Sequence, residues 1–159
     1  MKKILFVCTG NTCRSPMAEY IMNEMLAENG LSDEYCAFSA GISTIDGLEA
    51  SNGSINACRR MGLDLSSHKS TMVTDRLIND SDIILAMGSS HKTALAGYYG
   101  ECKDRLFTLG EYASMCDGNV AARDIGDPYM MSDEVYMKVC DEIAAYLNVI
   151  INYLKGIKK

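Results

Sequence analysis

An uninterrupted apolar run, Ile4-Leu5-Phe6-Val7, lies near the start of the chain and stops at Cys8. A short continuous run of this kind predicts a strand buried on both faces of a parallel sheet. From Met17 the period changes. Met17, Tyr20, Ile21, Met25 and Leu26 recur at helical spacing, and Glu19, Asn23, Glu24 and Glu28 fill the opposite face. Residues 35–40 read as a short mixed strand punctuated by Gly41, and 41–53 as a polar loop bearing Gly and Ser. Ile55, Ala57, Cys58 and Met61 fall on a helix that ends at Gly62 as its C-cap. Thr74-Asp75 starts another, with Leu77 and Ile78 following.

Residues 82–87 are the second clear buried strand, and Ser89 and Ser90 precede a helix running to about Gly97. Residues 105–109 form a further strand-like run, and 115–131 read as loop. Ser132 starts a last long helix, with Asp133 and Glu134 suited to its first turn. Its core stripe is Val135, Val139, Ile143, Tyr146, Leu147, Ile150 and Leu154. Strand and helix alternate throughout, which predicts an α/β fold with a parallel sheet. Ligands in such folds sit at the carboxyl ends of strands. Cys8 is at the carboxyl end of the first.

That position gives Cys8 a chemical reading. Cys8 and Arg14 flank a tight loop, Thr9-Gly10-Asn11-Thr12-Cys13, and Ser15-Pro16 lead into the helix. Pro16 suits a first helical turn, where its missing N–H is not needed. A loop wrapped before a helix start aims several backbone N–H groups at one spot, and the helix dipole adds positive potential there. Gly10 and Asn11 tolerate the backbone conformations such a turn demands. Arg14 supplies a planar fork for two phosphate oxygens. In such a field a thiolate is favoured, with pKa values of roughly 3.5–7.5, and a thiolate facing a phosphoryl group is an activated nucleophile. Cys-x5-Arg alone is weak evidence. The strand before it and the helix after it carry the weight, and of the cysteines only Cys8 has Arg six positions on. The competing readings are a buried structural thiol at a strand end and a metal site. Neither a Cys nor a His near Cys8 and Cys13 completes a zinc spacing.

Composition narrows the picture. The chain has 159 residues, 48% of them hydrophobic and only two of them Pro, so one domain over 1–159 with a real core is expected. The apolar runs are far short of a membrane span. Lys2 and Lys3 resemble a signal n-region, but the apolar run ends at Cys8 and a signal peptide is rejected. A net charge of −6 argues against nucleic-acid or anionic-membrane partners. Seven cysteines, scattered and odd in number, point to a reducing, cytoplasmic compartment.

The segment from Val7 to Glu19, Val-Cys-Thr-Gly-Asn-Thr-Cys-Arg-Ser-Pro-Met-Ala-Glu, resembles the signature of the low-molecular-weight protein tyrosine phosphatases. The likeness extends over the chain's length and to Asp127-Pro128 before the last helix. It implies a three-layer sandwich, with a four-stranded parallel sheet and helices on both faces. It implies hydrolysis of phosphorylated protein side chains through a phosphocysteine intermediate, with no metal and no cofactor; the sequence does not give the oligomeric state, and a monomer is the expectation. By the resemblance, Cys8 is the nucleophile, Arg14 grips phosphate, and Asp127 is the general acid and base. On residue type alone Asp127 could be an ordinary turn aspartate, and Asp124 is also near. The resemblance also implies substrate or phosphate contacts from Thr9, Gly10, Asn11, Thr12, Cys13, Ser15 and Tyr129. Ser39 and His68 would support the loop through Asn11, and the Ser15 hydroxyl would bond the nucleophile. His91 reads as a surface residue with no role. Cys13 is either a disulfide partner for Cys8 or a spectator thiol.

Thr12 bears on the substrate. Tyrosine-specific members carry Ile or another larger aliphatic residue there, and the phosphoarginine branch resembles this chain in carrying Thr. Thr leaves room and a hydroxyl for a polar guanidinium. Residues 41–56 contain no aromatic, which removes one stacking wall for a phenyl ring, whereas Tyr129 could supply another. Phosphoarginine is therefore favoured, with phosphotyrosine the alternative. An arsenate reductase is more distant, because Leu85-Ala86-Met87-Gly88 lacks the cysteine its relay needs. A phosphocarrier or a binding module would not need Arg14 together with a general acid.

Overall fold

The apolar run becomes β1 (Lys2–Cys8). The computed structural model, which describes residues 1–157, places it inside a four-stranded sheet of order β2-β1-β3-β4. β2 is Tyr35–Gly41, β3 Ile83–Ala86 and β4 Leu106–Thr108, and every pairing is parallel. The helices are α1 (Arg14–Glu28), α2 (Asn52–Arg59), α3 (Asp75–Asn79), α4 (Ser89–Tyr98), α5 (Leu109–Cys116) and α6 (Asp133–Ile157). A 3-10 turn covers Gly100–Arg105.

Period two on β1 divides the core. Ile4, Phe6 and Cys8 join a cluster with Met17 and Ile21 of α1 and Val139, Ile143 and Leu147 of α6. Leu5 and Val7 join another with Ile78 of α3 and Leu95 of α4. Both faces of β1 are buried, which is why its sequence is apolar without alternation. The result is the α/β three-layer sandwich that the sequence implies. Among the described residues no helix is long and apolar enough to cross a membrane.

Local signals account for most element ends. Thr74 and Thr108 cap α3 and α5 with side-chain oxygens. Gly62 takes φ 82° where the chain reverses after α2. Several element ends differ from the sequence reading, and one helix is new. α2 ends at Arg59, so Met61 lies in the turn rather than on the helix. α4 begins at Ser89 itself. α5 was not anticipated: residues 105–109 read as strand and 115–131 as loop, yet Leu109 is already helical. The cause is a capping box, in which Thr108 and Glu111 satisfy each other's backbone N–H groups.

α5 carries Gly110 against the loop that leads to Asp127. A Cβ on Gly110 would lie 2.5 Å from the Arg123 carbonyl oxygen and 2.7 Å from its amide nitrogen. Both are backbone atoms and yield poorly. Gly110→Ala is expected to cost about 1–3 kcal/mol of stability, read as a lower midpoint in urea. An unchanged midpoint would mean that the loop moves aside freely.

Candidate active site

β1 ends at Cys8 beside Gly41, the end of β2, and α1 starts at Arg14. The chain between them is tethered at both ends. The Cys8 and Thr9 carbonyls accept from the Ile42 and Ser43 amides at 3.0 Å each, and the Thr12 carbonyl accepts from the Ser51 amide at 2.9 Å. Gly41 is needed there, since a Cβ would approach the Thr9 carbonyl to 2.7 Å. Asn11 sits at φ 56°, the left-handed conformation expected for it.

Asn11 is fully buried and holds the loop through all its polar groups. Its side-chain amide donates to the Ser15 hydroxyl at 2.8 Å and the Ser39 hydroxyl at 2.9 Å. Its side-chain oxygen accepts from the Thr71 amide, and its carbonyl accepts from His68 Nε2, both at 2.8 Å. His68 therefore carries a proton on Nε2. Burial pushes the His68 pKa down, against the Asn11 carbonyl, which raises it. Ser39 in turn donates to Glu19 at 2.5 Å. The helix face that carries Glu19 thus meets β2 rather than solvent, and burial pushes its carboxyl pKa up.

The Cys8 thiol lies 2.8 Å from the Ser15 hydroxyl and accepts from the Asn11 amide at 3.3 Å. Burial pushes its pKa above the ordinary value, while Ser15, Asn11 and Arg14 pull it down. Burial is the larger effect, which corrects the expectation of a thiolate favoured outright. The stabilising groups are present, but so is a nearly dry surrounding that penalises charge. Ser15 lies inside the first turn of α1, and the cap position falls to Cys13, without a side-chain cap bond.

Arg14 is buried and aimed by the opposite wall. Its guanidinium donates to the Ile125 carbonyl at 2.9 Å and stands 3.8 Å from Asp127 Oδ2. The Ile125 amide donates to the Met87 carbonyl just beyond β3, so the loop bearing Asp127 is fastened to the sheet. Asp127 is 57% exposed and reachable by an incoming group. Asp124, the other aspartate considered for this role, points elsewhere: it accepts from the Ser89 amide at 3.0 Å and the Ser89 hydroxyl at 2.9 Å.

Cys8, Thr9, Gly10, Thr12, Cys13, Arg14, Asp127 and Tyr129 line one cavity of about 580 Å³. Ile45 and Leu48 line its aliphatic side, and Tyr129 stands exposed at its mouth. Asn11, Ser15, Ser39 and His68 lie behind it, and their side chains serve the loop and the thiol. Cys13 meets the Ser51 and Tyr136 hydroxyls at 3.4 Å each, and both it and Cys8 are free thiols. His91 corrects the sequence reading: it is buried, with Nε2 2.9 Å from Thr9 Oγ1. Its place in the first turn of α4, just after β3 and at the strand ends where ligands gather, was the available signal.

Such a site can grip a dianion with backbone amides and Arg14, present a thiol to it, and offer a carboxyl from the far wall. The comparisons agree. The profile of the family described as low molecular weight phosphotyrosine protein phosphatase matches residues 3–159. The chain belongs to that family. It is therefore a protein phosphatase. A protein-arginine-phosphatase of Bacillus subtilis is 34% identical to it, over 96% of each chain. A probable low molecular weight protein-tyrosine-phosphatase, EpsP, of Ralstonia solanacearum is 34% identical over 81% of this chain and 79% of its own. Among solved structures, a mutant of the YwlE arginine phosphatase with a phosphorylated active-site serine superimposes with a TM-score of 0.89, at 33% identity, covering 96% of this phosphatase and 95% of that chain.

Proposed function

We propose that this phosphatase removes phosphoryl groups from arginine side chains of proteins through a phosphocysteine on Cys8. The dianion would sit on the amides of Thr9, Gly10, Asn11, Thr12 and Cys13, with Arg14 bidentate on its outer oxygens. Cys8 first gives its thiol proton to solvent; the thiolate attacks phosphorus in line, the S–P bond forms as the bond to the leaving nitrogen breaks, and Asp127 gives that nitrogen its proton. Water then attacks, Asp127 takes the proton back, and the departing sulfur is received by the Ser15 hydroxyl and the Asn11 amide. The 2.8 Å and 3.3 Å contacts to Cys8 stand where that charge develops. Burial of the thiol, which disfavours the resting anion, strengthens those same contacts once the site closes on a substrate.

The observation that carries the arginine reading is Thr12, half-buried in the cavity wall with its carbonyl pinned by Ser51. Its hydroxyl lies 3.8 Å from Cys13 Sγ, which lines the same cavity, so the wall there is polar. The aliphatic Ile45 and Leu48 opposite offer no ring to stack on phenyl. The activity named for the Bacillus subtilis relative supports the same reading. Tyr129 at the mouth favours phosphotyrosine, the second reading. We further place the enzyme in the cytoplasm, as a single-domain monomer over residues 1–159; its seven free thiols support a reducing setting.

The deciding measurement is kcat/KM on matched phosphoarginine and phosphotyrosine peptides. Thr12→Ile adds bulk and removes the hydroxyl, a pocket change worth roughly 10–200-fold in relative specificity. The phosphoarginine to phosphotyrosine ratio is expected to fall at least about tenfold, with activity on a small aryl phosphate surviving. A wild type that ignores phosphoarginine, or a ratio that stays put, returns the enzyme to phosphotyrosine.

A further inference from the structure

One buried polar side chain beside the site has no part in the mechanism above. His91, the third residue of α4, is 4% exposed. Its Nε2 lies 2.9 Å from Thr9 Oγ1, across 82 positions of sequence. Its Nδ1 is buried and meets no partner with good hydrogen-bond geometry among the described residues, although the Gly88 backbone interacts with the ring. Burying a polar ring is a cost that a solvent-facing or purely space-filling residue would not incur. A leucine would fill the same volume. What the ring adds is the Nε2 bond to Thr9.

The bond joins two parts of the site. Thr9 directly follows the thiol residue, its side chain is exposed at the cavity, and its carbonyl is already fixed by Ser43. Gripping the side chain as well immobilises the first peptide of the phosphate loop. The other end of the grip is α4, whose first residue, Ser89, holds Asp124 of the loop that carries Asp127. One helical turn therefore touches the phosphate loop through His91 and the general-acid loop through Ser89. Gly88 lies between the two: a Cβ there would stand in ordinary contact, 3.4 Å from Asp124 Oδ2 and 3.5 Å from His91 Nδ1.

We propose that His91 is a positioning residue, which holds Thr9 so that the phosphate loop is already formed when the dianion arrives. The proposal rests on the reading of that loop as the phosphate site. The ring acts in its neutral form: burial and the Arg14 charge disfavour the imidazolium, against Asp127, Asp124 and the Gly88 backbone, which favour it. Preorganisation of this kind shows in binding before it shows in chemistry, because the thiol and Asp127 are untouched.

The test compares two amides. The terminal amide of glutamine reaches the position of Nε2, whereas that of asparagine reaches only that of Nδ1. His91→Asn is expected to weaken calorimetric binding of inorganic phosphate, and to raise KM for p-nitrophenyl phosphate, by about three- to tenfold. Its kcat should stay within about twofold, and His91→Gln should restore both constants. Thr9→Val cuts the same bond at an exposed position and serves if His91→Asn does not fold; it should weaken phosphate binding to the same extent. The double variant should be no worse than either single. Unchanged phosphate binding in Thr9→Val, failure of folded His91→Gln to rescue, or additive losses in the double variant would each overturn the role. Binding is read without turnover, so a wild type that binds phosphate but hydrolyses nothing defeats the proposed function and leaves this test standing. A wild type that binds no phosphate defeats both.

Discussion

Cys8→Ser is expected to leave less than about one-thousandth of wild-type turnover and to keep the affinity for phosphate. The two halves of that result have separate causes. Binding rests on groups the substitution does not touch: the loop amides, the Arg14 guanidinium 2.9 Å from the Ile125 carbonyl, and the Asn11 network that shapes the turn. Turnover rests on the thiol. A serine hydroxyl ionises several units above a thiol, and a nearly dry site makes its anion rarer still. The burial that already pushes the Cys8 thiol up would act on an alkoxide with greater force. Steady-state rates on p-nitrophenyl phosphate, paired with phosphate titration of the same sample, separate the two. Residual activity above that level contradicts covalent catalysis through Cys8, and lost phosphate binding would place the thiol in the binding function instead.

The parts of this enzyme that were legible in its sequence are the ones built from neighbours along the chain. β1, the loop and the start of α1 are contiguous, so the apolar run, Asn11 at positive φ and Arg14 were all readable locally. The strand–helix alternation likewise gave the layers. Ser39 and His68 came from resemblance, because nothing near them in sequence points at Asn11. His91 was misread for a related reason: its burial is decided where the turn after β3 meets the loop after β1, not by its neighbours on α4. Glu19 obeyed its helical period, yet a face that looks outward on an isolated helix here meets Ser39 on β2. α5 is a different failure. Its Thr108–Glu111 capping box was in the sequence, and the apolar run before it was extended one residue too far.

Asp127→Asn is expected to slow poor leaving groups by roughly 10²–10⁴-fold and activated aryl phosphates far less. An amide of the same shape cannot donate the proton a poor leaving group needs, whereas p-nitrophenolate departs without one. The geometry selects Asp127 over its neighbour. Asp127 is exposed into the cavity, with one oxygen 3.8 Å from the buried Arg14 guanidinium that would hold the phosphate. Its other oxygen accepts from the Tyr129 amide at 3.1 Å, which fixes the carboxyl plane over the mouth. Asp124 has both oxygens committed to Ser89, outside that cavity. Asp124→Asn should therefore slow good and poor leaving groups alike, and less than Asp127→Asn slows the poor ones. A series of aryl phosphates of graded leaving-group pKa makes the comparison. Loss of the acid should steepen the dependence of rate on leaving-group pKa in Asp127→Asn alone. Equal slowing of every member by that variant, or a steeper dependence in Asp124→Asn, would move the general acid away from Asp127.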